Sequence, residues 1–117
     1  MSRDHRKLET FTLADELTLR VYQATINFPR AEMYGLRSQI RRAAVSVPTN
    51  IVERCARDSD RDYARLLDVA FGSTREVIYL LNLSSRLGMI DAKVADELEK
   101  FGGRVAAALA ALRKSIT

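Results

Sequence analysis

Apolar residues recur along this chain at steps of three and four, the spacing of one face of an α-helix. Leu13, Leu17, Val21, Ala24 and Phe28 form one such stripe and predict a first helix from about Thr12 to Phe28. Thr12-Leu13-Ala14-Asp15 has capping-box spacing, which sets the expected start. Pro29 sets the end, because a residue before proline is pushed out of the helical region. The segment 29–35 reads as the first loop. Leu36, Ile40, Ala43, Val47 and Ile51 then predict a second helix, from about Leu36 to Arg57. At 100° per residue, Val45, Val52 and Ala56 fall on its opposite side, so this helix is apolar on two faces. Pro48 lies within it, removes an amide donor and frees the Ala44 carbonyl; a kink is expected, with Ser46, Thr49 or Asn50 supplying compensating bonds.

The third helix begins at a second capping-box spacing, Ser59-Asp60-Arg61-Asp62. Tyr63, Leu67, Ala70, Thr74, Val77, Leu81 and Ser84 form its stripe, with Leu66, Leu80 and Leu87 widening it. Gly88 is the expected left-handed terminator. Asp91 caps a fourth helix whose stripe is Val94, Leu98, Phe101, Val105, Ala108 and Leu112, with Gly102-Gly103 allowing close approach of a neighbour. Four amphipathic helices with short connections imply an all-α fold, an antiparallel up-down-up-down four-helix bundle in one domain covering residues 1–117. Residues 1–10 are expected to form a mobile N-terminal segment. The second apolar face of helix 2 has no partner within four helices, which points to a homo-oligomer.

Composition narrows the function. With 117 residues the chain holds one core, and its longest apolar run, the eight residues from Val105 to Leu112, is far short of a membrane span. Met1 to Lys7 is charged with no apolar stretch behind it, so no secretory signal is read and a cytoplasmic protein is expected. One cysteine and one histidine exclude an internal disulfide and a zinc site. No cofactor or small-molecule substrate is expected.

Asp58, Asp60 and Asp62 begin like a calcium loop. Tyr63 and Val69 stand where that loop needs glycine and glutamate, so no metal is expected and the aspartates read as helix-start residues. Asn82-Leu83-Ser84 matches a glycosylation sequon inside a packed helix, and Cys55 reads as a packing residue. Glu32, Glu53 and Glu76 are the carboxylates from which an acid–base group would have to be drawn; nothing in the sequence joins them, and no enzyme is expected.

Charge is more suggestive. The 19 basic residues against 15 acidic give +4, all of it in residues 1–57, which hold 10 basic and 6 acidic residues. Arginine outnumbers lysine 15 to 4, a bias that permits phosphate contact. Arg37 and Arg41 share a side of helix 2 and Arg42 lies about a quarter-turn on; Arg54 and Arg57 extend the basic character, as do Arg61 and Arg65. These arginines are candidate nucleic-acid contacts or, alternatively, an ion-paired solvated face. Few aromatics accompany them, so phosphate-directed, sequence-tolerant contact is expected.

One string is more specific than any composition. Tyr34-Gly35-Leu36, Ser38-Gln39, Arg41-Arg42-Ala43, Ser46, Pro48, Asn50-Ile51 and Glu53 follow at fixed spacing, preceded by Phe28-Pro29 and Glu32 and followed by Ala70, Gly72-Ser73 and Glu76. The string, and the chain from about Phe11 to Leu112, closely resembles the bacterial four-helix bundle family of proteins encoded in 23S rRNA intervening sequences. The resemblance implies a cytosolic homopentamer. It also implies kinship with the accessory proteins of diversity-generating retroelements, which bind nucleic acid and a reverse transcriptase through a basic surface. Arg54 departs from the pattern, which places glycine after the matching glutamate; arginine there is expected to let helix 2 run on. Tyr34, Ser46, Asn50 and Glu53 read as buried polar groups that fix the Pro48 kink or, alternatively, as the lining of a ligand site. The sequence thus leads to a non-enzymatic binding or assembly module with RNA, DNA or a nucleic-acid enzyme as partner, the rival being a purely protein-binding scaffold.

Overall fold

The positions that repeat at helical spacing are the ones the fold buries. A computed structural model describes residues 2–53 and 59–116. Its helices are α1 (Ser2–Ala24), α2 (Leu36–Val52), α3 (Asp60–Arg86) and α4 (Ala92–Lys114), with a single 3-10 turn, Arg30–Glu32, between α1 and α2. Among the described residues there is no strand. Each helix packs chiefly on two neighbours, α1 and α3 each against both α2 and α4, so the four close around one core. Contacts advance along one helix as they retreat along the next: Thr18 meets Ala44 and Thr25 meets Arg41, while Asp68 meets Arg113 and Ile78 meets Gly102. That is the order an up-and-down bundle requires. The longest dimension, 43 Å, is about the length of the 27-residue α3.

The predicted stripes of α2 and α3 are buried throughout, and Leu17, Val21, Leu98, Val105 and Leu112 complete the core. Ser59 caps α3 through the Asp62 amide, and Asp91 caps α4 through the amides of Lys93 and Val94. Gly88 takes a φ of 77°, and the Met89 amide returns to the Ser84 carbonyl at 2.9 Å to close α3. At Gly102 a Cβ would stand 2.8 Å from Ile78 Cγ1, so glycine here sets how closely α3 and α4 approach. Leu87, expected in the row flanking the α3 stripe, and Val94, expected in the α4 stripe, are instead exposed, and Ala95 and Leu109 are buried beside the α4 stripe.

Both ends of α1 differ from the periodicity. The helix begins at Ser2, so most of the first ten residues belong to it instead of preceding the bundle. Thr12 is not its cap; the Thr12 hydroxyl donates to the Leu8 carbonyl within the helix. The charged start of α1 carries no apolar stripe, and its second turn docks through charged side chains: an Arg6 guanidinium nitrogen donates to the Ala111 carbonyl, and Lys7 lies over the Tyr63 ring. The helix ends at Ala24, before Phe28, where the Val21 carbonyl accepts both the amide and the hydroxyl of Thr25 and the Tyr22 carbonyl finds a side-chain donor. Thr25 Oγ1 donates to Val21 at 2.8 Å and Arg41 donates to Tyr22 at 3.1 Å.

Helix α2 also ends earlier than expected, at Val52, with Glu53 out of the helical region at φ −75° and ψ 79°. The helix continues through Pro48. The carbonyl that proline leaves without an amide, Ala44, accepts a 3.0 Å bond from the Thr18 hydroxyl of α1, which also lies 3.0 Å from the Ala14 carbonyl. The compensating donor is therefore on the neighbouring helix; Thr49 and Asn50 return to the carbonyls of Val45 and Ser46 in their own helix. At the end of α2 the buried Tyr63 hydroxyl donates to the Ile51 carbonyl at 2.8 Å, tying the start of α3 to the last turn of α2.

These bonds predict specific losses. Tyr63→Phe is expected to lower unfolding free energy by about 1–3 kcal/mol, and the half-buried Thr18→Val by about 1 kcal/mol, seen as lower midpoints in urea. Unchanged midpoints would contradict both assignments. Gly103→Ala, with nothing within 4 Å of its added Cβ, should gain about 1 kcal/mol of helix propensity. Gly102→Ala should instead destabilise the fold through the Ile78 contact, and a gain of similar size at both positions would refute that account.

Candidate functional site

The amphipathic pattern of α2 leaves a polar edge beside its buried face. Ser38, Arg42 and Ser46 follow at four-residue steps, with Gln39 alongside, and this edge faces Ser73 and Glu76 of α3. Together with Tyr34, Gly35 and Ala43 they line a groove of about 510 Å³ between α2 and α3. All nine lining residues belong to the string at fixed spacing singled out in the sequence.

Each part of the groove has a local cause. Gly35 precedes α2, and the Leu36 amide at the helix start donates to Glu32 Oε1 at 2.9 Å. A Cβ on Gly35 would stand 2.7 Å from that oxygen, so glycine here lets the carboxylate cap the helix. Tyr34, just before, is 93% exposed at the mouth of the groove. At the floor, Ser73 Oγ donates to Ser46 Oγ at 2.9 Å, and Asn50 Nδ2 donates to the carbonyl and hydroxyl of Ser46 at 2.8 and 3.0 Å. On the α3 side, Gln39 Nε2 donates to Glu76 Oε2 at 3.4 Å.

The structure separates residues that the sequence grouped. Of the basic candidates, Arg41 is committed within the chain. Its Nε donates to Thr25 Oγ1 at 2.8 Å, a terminal nitrogen donates to the Tyr22 carbonyl, and the guanidinium lies 4.4 Å from the Tyr22 ring centroid. Burial, and then the neighbouring Arg37 charge, push the Arg41 guanidinium below its ordinary value, while Tyr22 pulls it up; arginine remains a cation. Arg41 is thus a staple between α1 and α2. Arg37 is half-buried, Arg42 is exposed in the groove, and Arg54 and Arg57 lie outside the described residues, as do Cys55, Ala56 and Asp58.

Tyr34 and Glu53 are exposed, contrary to their reading as buried polar groups, whereas Ser46 and Asn50 are half-buried and bonded. Gly72 is exposed on α3 with open space at its Cβ position, so nothing within the described chain requires glycine there. The three glutamates do not meet as one group: Glu32 and Glu53 flank the 17-residue α2, about 25 Å apart by its rise. Among the described residues, no three His, Cys, Asp or Glu side chains are placed to hold a metal, and no helix is long and apolar enough to cross a membrane. The sequence alone does not place Ser38, Gln39 and Ser73 in a site; the signal for Ser38 is the polar four-residue step Ser38, Arg42 and Ser46 flanking the apolar one, and Gln39 and Ser73 lie on no such step.

The comparisons agree with this architecture. A solved structure from Bacteroides thetaiotaomicron, a protein of unknown function from the S23 ribosomal protein family, superposes with a TM-score of 0.83 at 19% identity, covering 93% of this chain and 98% of that one. At that identity the likeness speaks for the fold. No curated protein matches the chain. The family model for 23S rRNA-intervening sequence protein matches residues 6–111, nearly the whole length, and the chain belongs to that family.

Proposed function

We propose that this chain is a non-enzymatic, homo-oligomeric binding module that contacts nucleic acid through arginines displayed on its outer surface. The observation that carries the assembly is the second apolar face of α2. Val45 and Val52 are 40% and 50% exposed opposite the buried stripe. Leu8 and Leu19, also exposed, share an outward side of the adjacent α1, and the exposed Ile26 follows in the turn after it. A second copy of the chain would cover them, and five copies is the number that the family resemblance suggests. Support for the nucleic-acid contact is the net charge of +4 and the exposed Arg42, Arg61 and Arg65, which a ring of copies would multiply into a polyvalent phosphate surface. The dispersed glutamates support a binding role over an acid–base one.

A protein-binding scaffold without a nucleic-acid role is the second reading, and Arg41 favours it. One of the three clustered arginines of α2 is already spent on a staple within the chain.

Light scattering should give a mass about five times the 13.2 kDa of one chain. Val45→Asp with Val52→Asp should reduce it without loss of helix content; a monomeric wild-type protein would overturn the assembly. Labelled single-stranded RNA and duplex DNA should bind at low salt and be released steeply as salt rises, the slope reporting the phosphates contacted. Absence of binding at low salt would leave the scaffold reading.

A further inference from the structure

The groove between α2 and α3 combines chemistry that an arginine patch alone lacks. Tyr34 presents an almost fully exposed ring at its mouth, an aromatic platform on the same lining as Arg42. A solvated ring of this kind offers a face on which a nucleobase stacks, whatever the base. Arg42 on the same lining supplies a planar fork for one phosphate. Glu76 brings a carboxylate, which repels phosphate but accepts hydrogen bonds from vicinal sugar hydroxyls, and Gln39 beside it offers both a donor and an acceptor. At the floor, the Ser46 hydroxyl accepts from Ser73 and Asn50, which leaves its own proton to donate. The space, about 510 Å³, falls within the ~300–1,000 Å³ of small-ligand sites.

We infer that this groove seats one ribonucleotide of a single-stranded RNA, with the base on Tyr34, the phosphate on Arg42 and the ribose hydroxyls on Glu76 and Gln39. The inference rests on the nucleic-acid reading above and adds to it a position, a strand type and a sugar preference. Duplexes are disfavoured because their bases are already stacked, and DNA because it lacks the 2′-hydroxyl that Glu76 accepts.

The test is an anisotropy titration of the assembled protein with a labelled oligouridine and its deoxy counterpart, at one low salt concentration. The variants are Tyr34→Ala, Tyr34→Phe and Glu76→Gln, each first confirmed by light scattering to keep the wild-type mass. Wild type should favour the RNA over the DNA by about tenfold, the size of one hydrogen bond to a charged group. Tyr34→Ala should weaken RNA binding by about tenfold or more, while Tyr34→Phe, which keeps the ring, should not. Glu76→Gln should bring the RNA and DNA affinities together. If wild type binds both strands in a salt-dependent way and Tyr34→Ala binds as well as wild type, the groove assignment falls and the nucleic-acid reading stands. Equal wild-type affinity for RNA and DNA overturns the ribose assignment. If wild type binds neither, both readings fall.

Discussion

A proline inside a helix leaves one carbonyl without its amide, and in this bundle the neighbouring helix answers it. Thr18 of α1 reaches the Ala44 carbonyl that Pro48 frees. That contact fixes the register of α1 against α2, and the other polar bonds fall into line with it. Arg41 reaches back to Tyr22 and Thr25 at the end of α1, and on the other flank Ser46 meets Ser73 while Ile51 meets Tyr63. Helix α2 is thus held on both sides by directional bonds in addition to its apolar stripe. Apolar packing tolerates small slips between helices; a hydroxyl held between the Ala14 carbonyl of its own helix and the Ala44 carbonyl of the next tolerates them less.

This clamping decides what is left for recognition. The staple removes Arg41 from the basic surface, and the Ser46 network fills the floor of the groove. Tyr34, Arg42 and Glu76 remain outward, on elements whose positions the clamp has set. The glycine at position 35 serves the same end, since the Glu32 cap it permits starts α2 beside Tyr34. Rigid placement matters for a site made of side chains from two helices, because a shift of one residue in α2 would turn Arg42 and Ser46 away from Ser73 and Glu76.

Much of the fold was legible because buried faces leave a periodic trace. The stripes of α2 and α3, the caps at Ser59 and Asp91 and the turn at Gly88 depend on local sequence and appear where it placed them. What was not legible depends on partners distant in sequence. The start of α1 is held by polar contacts with Ala111 and Tyr63 and shows no stripe. The partner of the Ala44 carbonyl is 26 residues away, so the sequence pointed to donors within α2 instead. Arg41 and Arg42 are neighbours in sequence, yet one is a staple and the other lines a groove, a difference set by α1 and α3. Tyr34 reads from sequence as a buried group or, alternatively, as the lining of a site, because nothing local distinguishes an aromatic that faces water from one that faces the core.

The most direct measurement is photocrosslinking of the assembled protein to a single-stranded RNA carrying 4-thiouridine, with the attachment site mapped by peptide mass spectrometry. A base stacked on the exposed ring places its reactive atom against Tyr34, so the account predicts crosslinks concentrated on the peptide that carries Tyr34 and lost in Tyr34→Ala. Crosslinks confined to other surfaces, such as the start of α3 around Arg61 and Arg65, would contradict it.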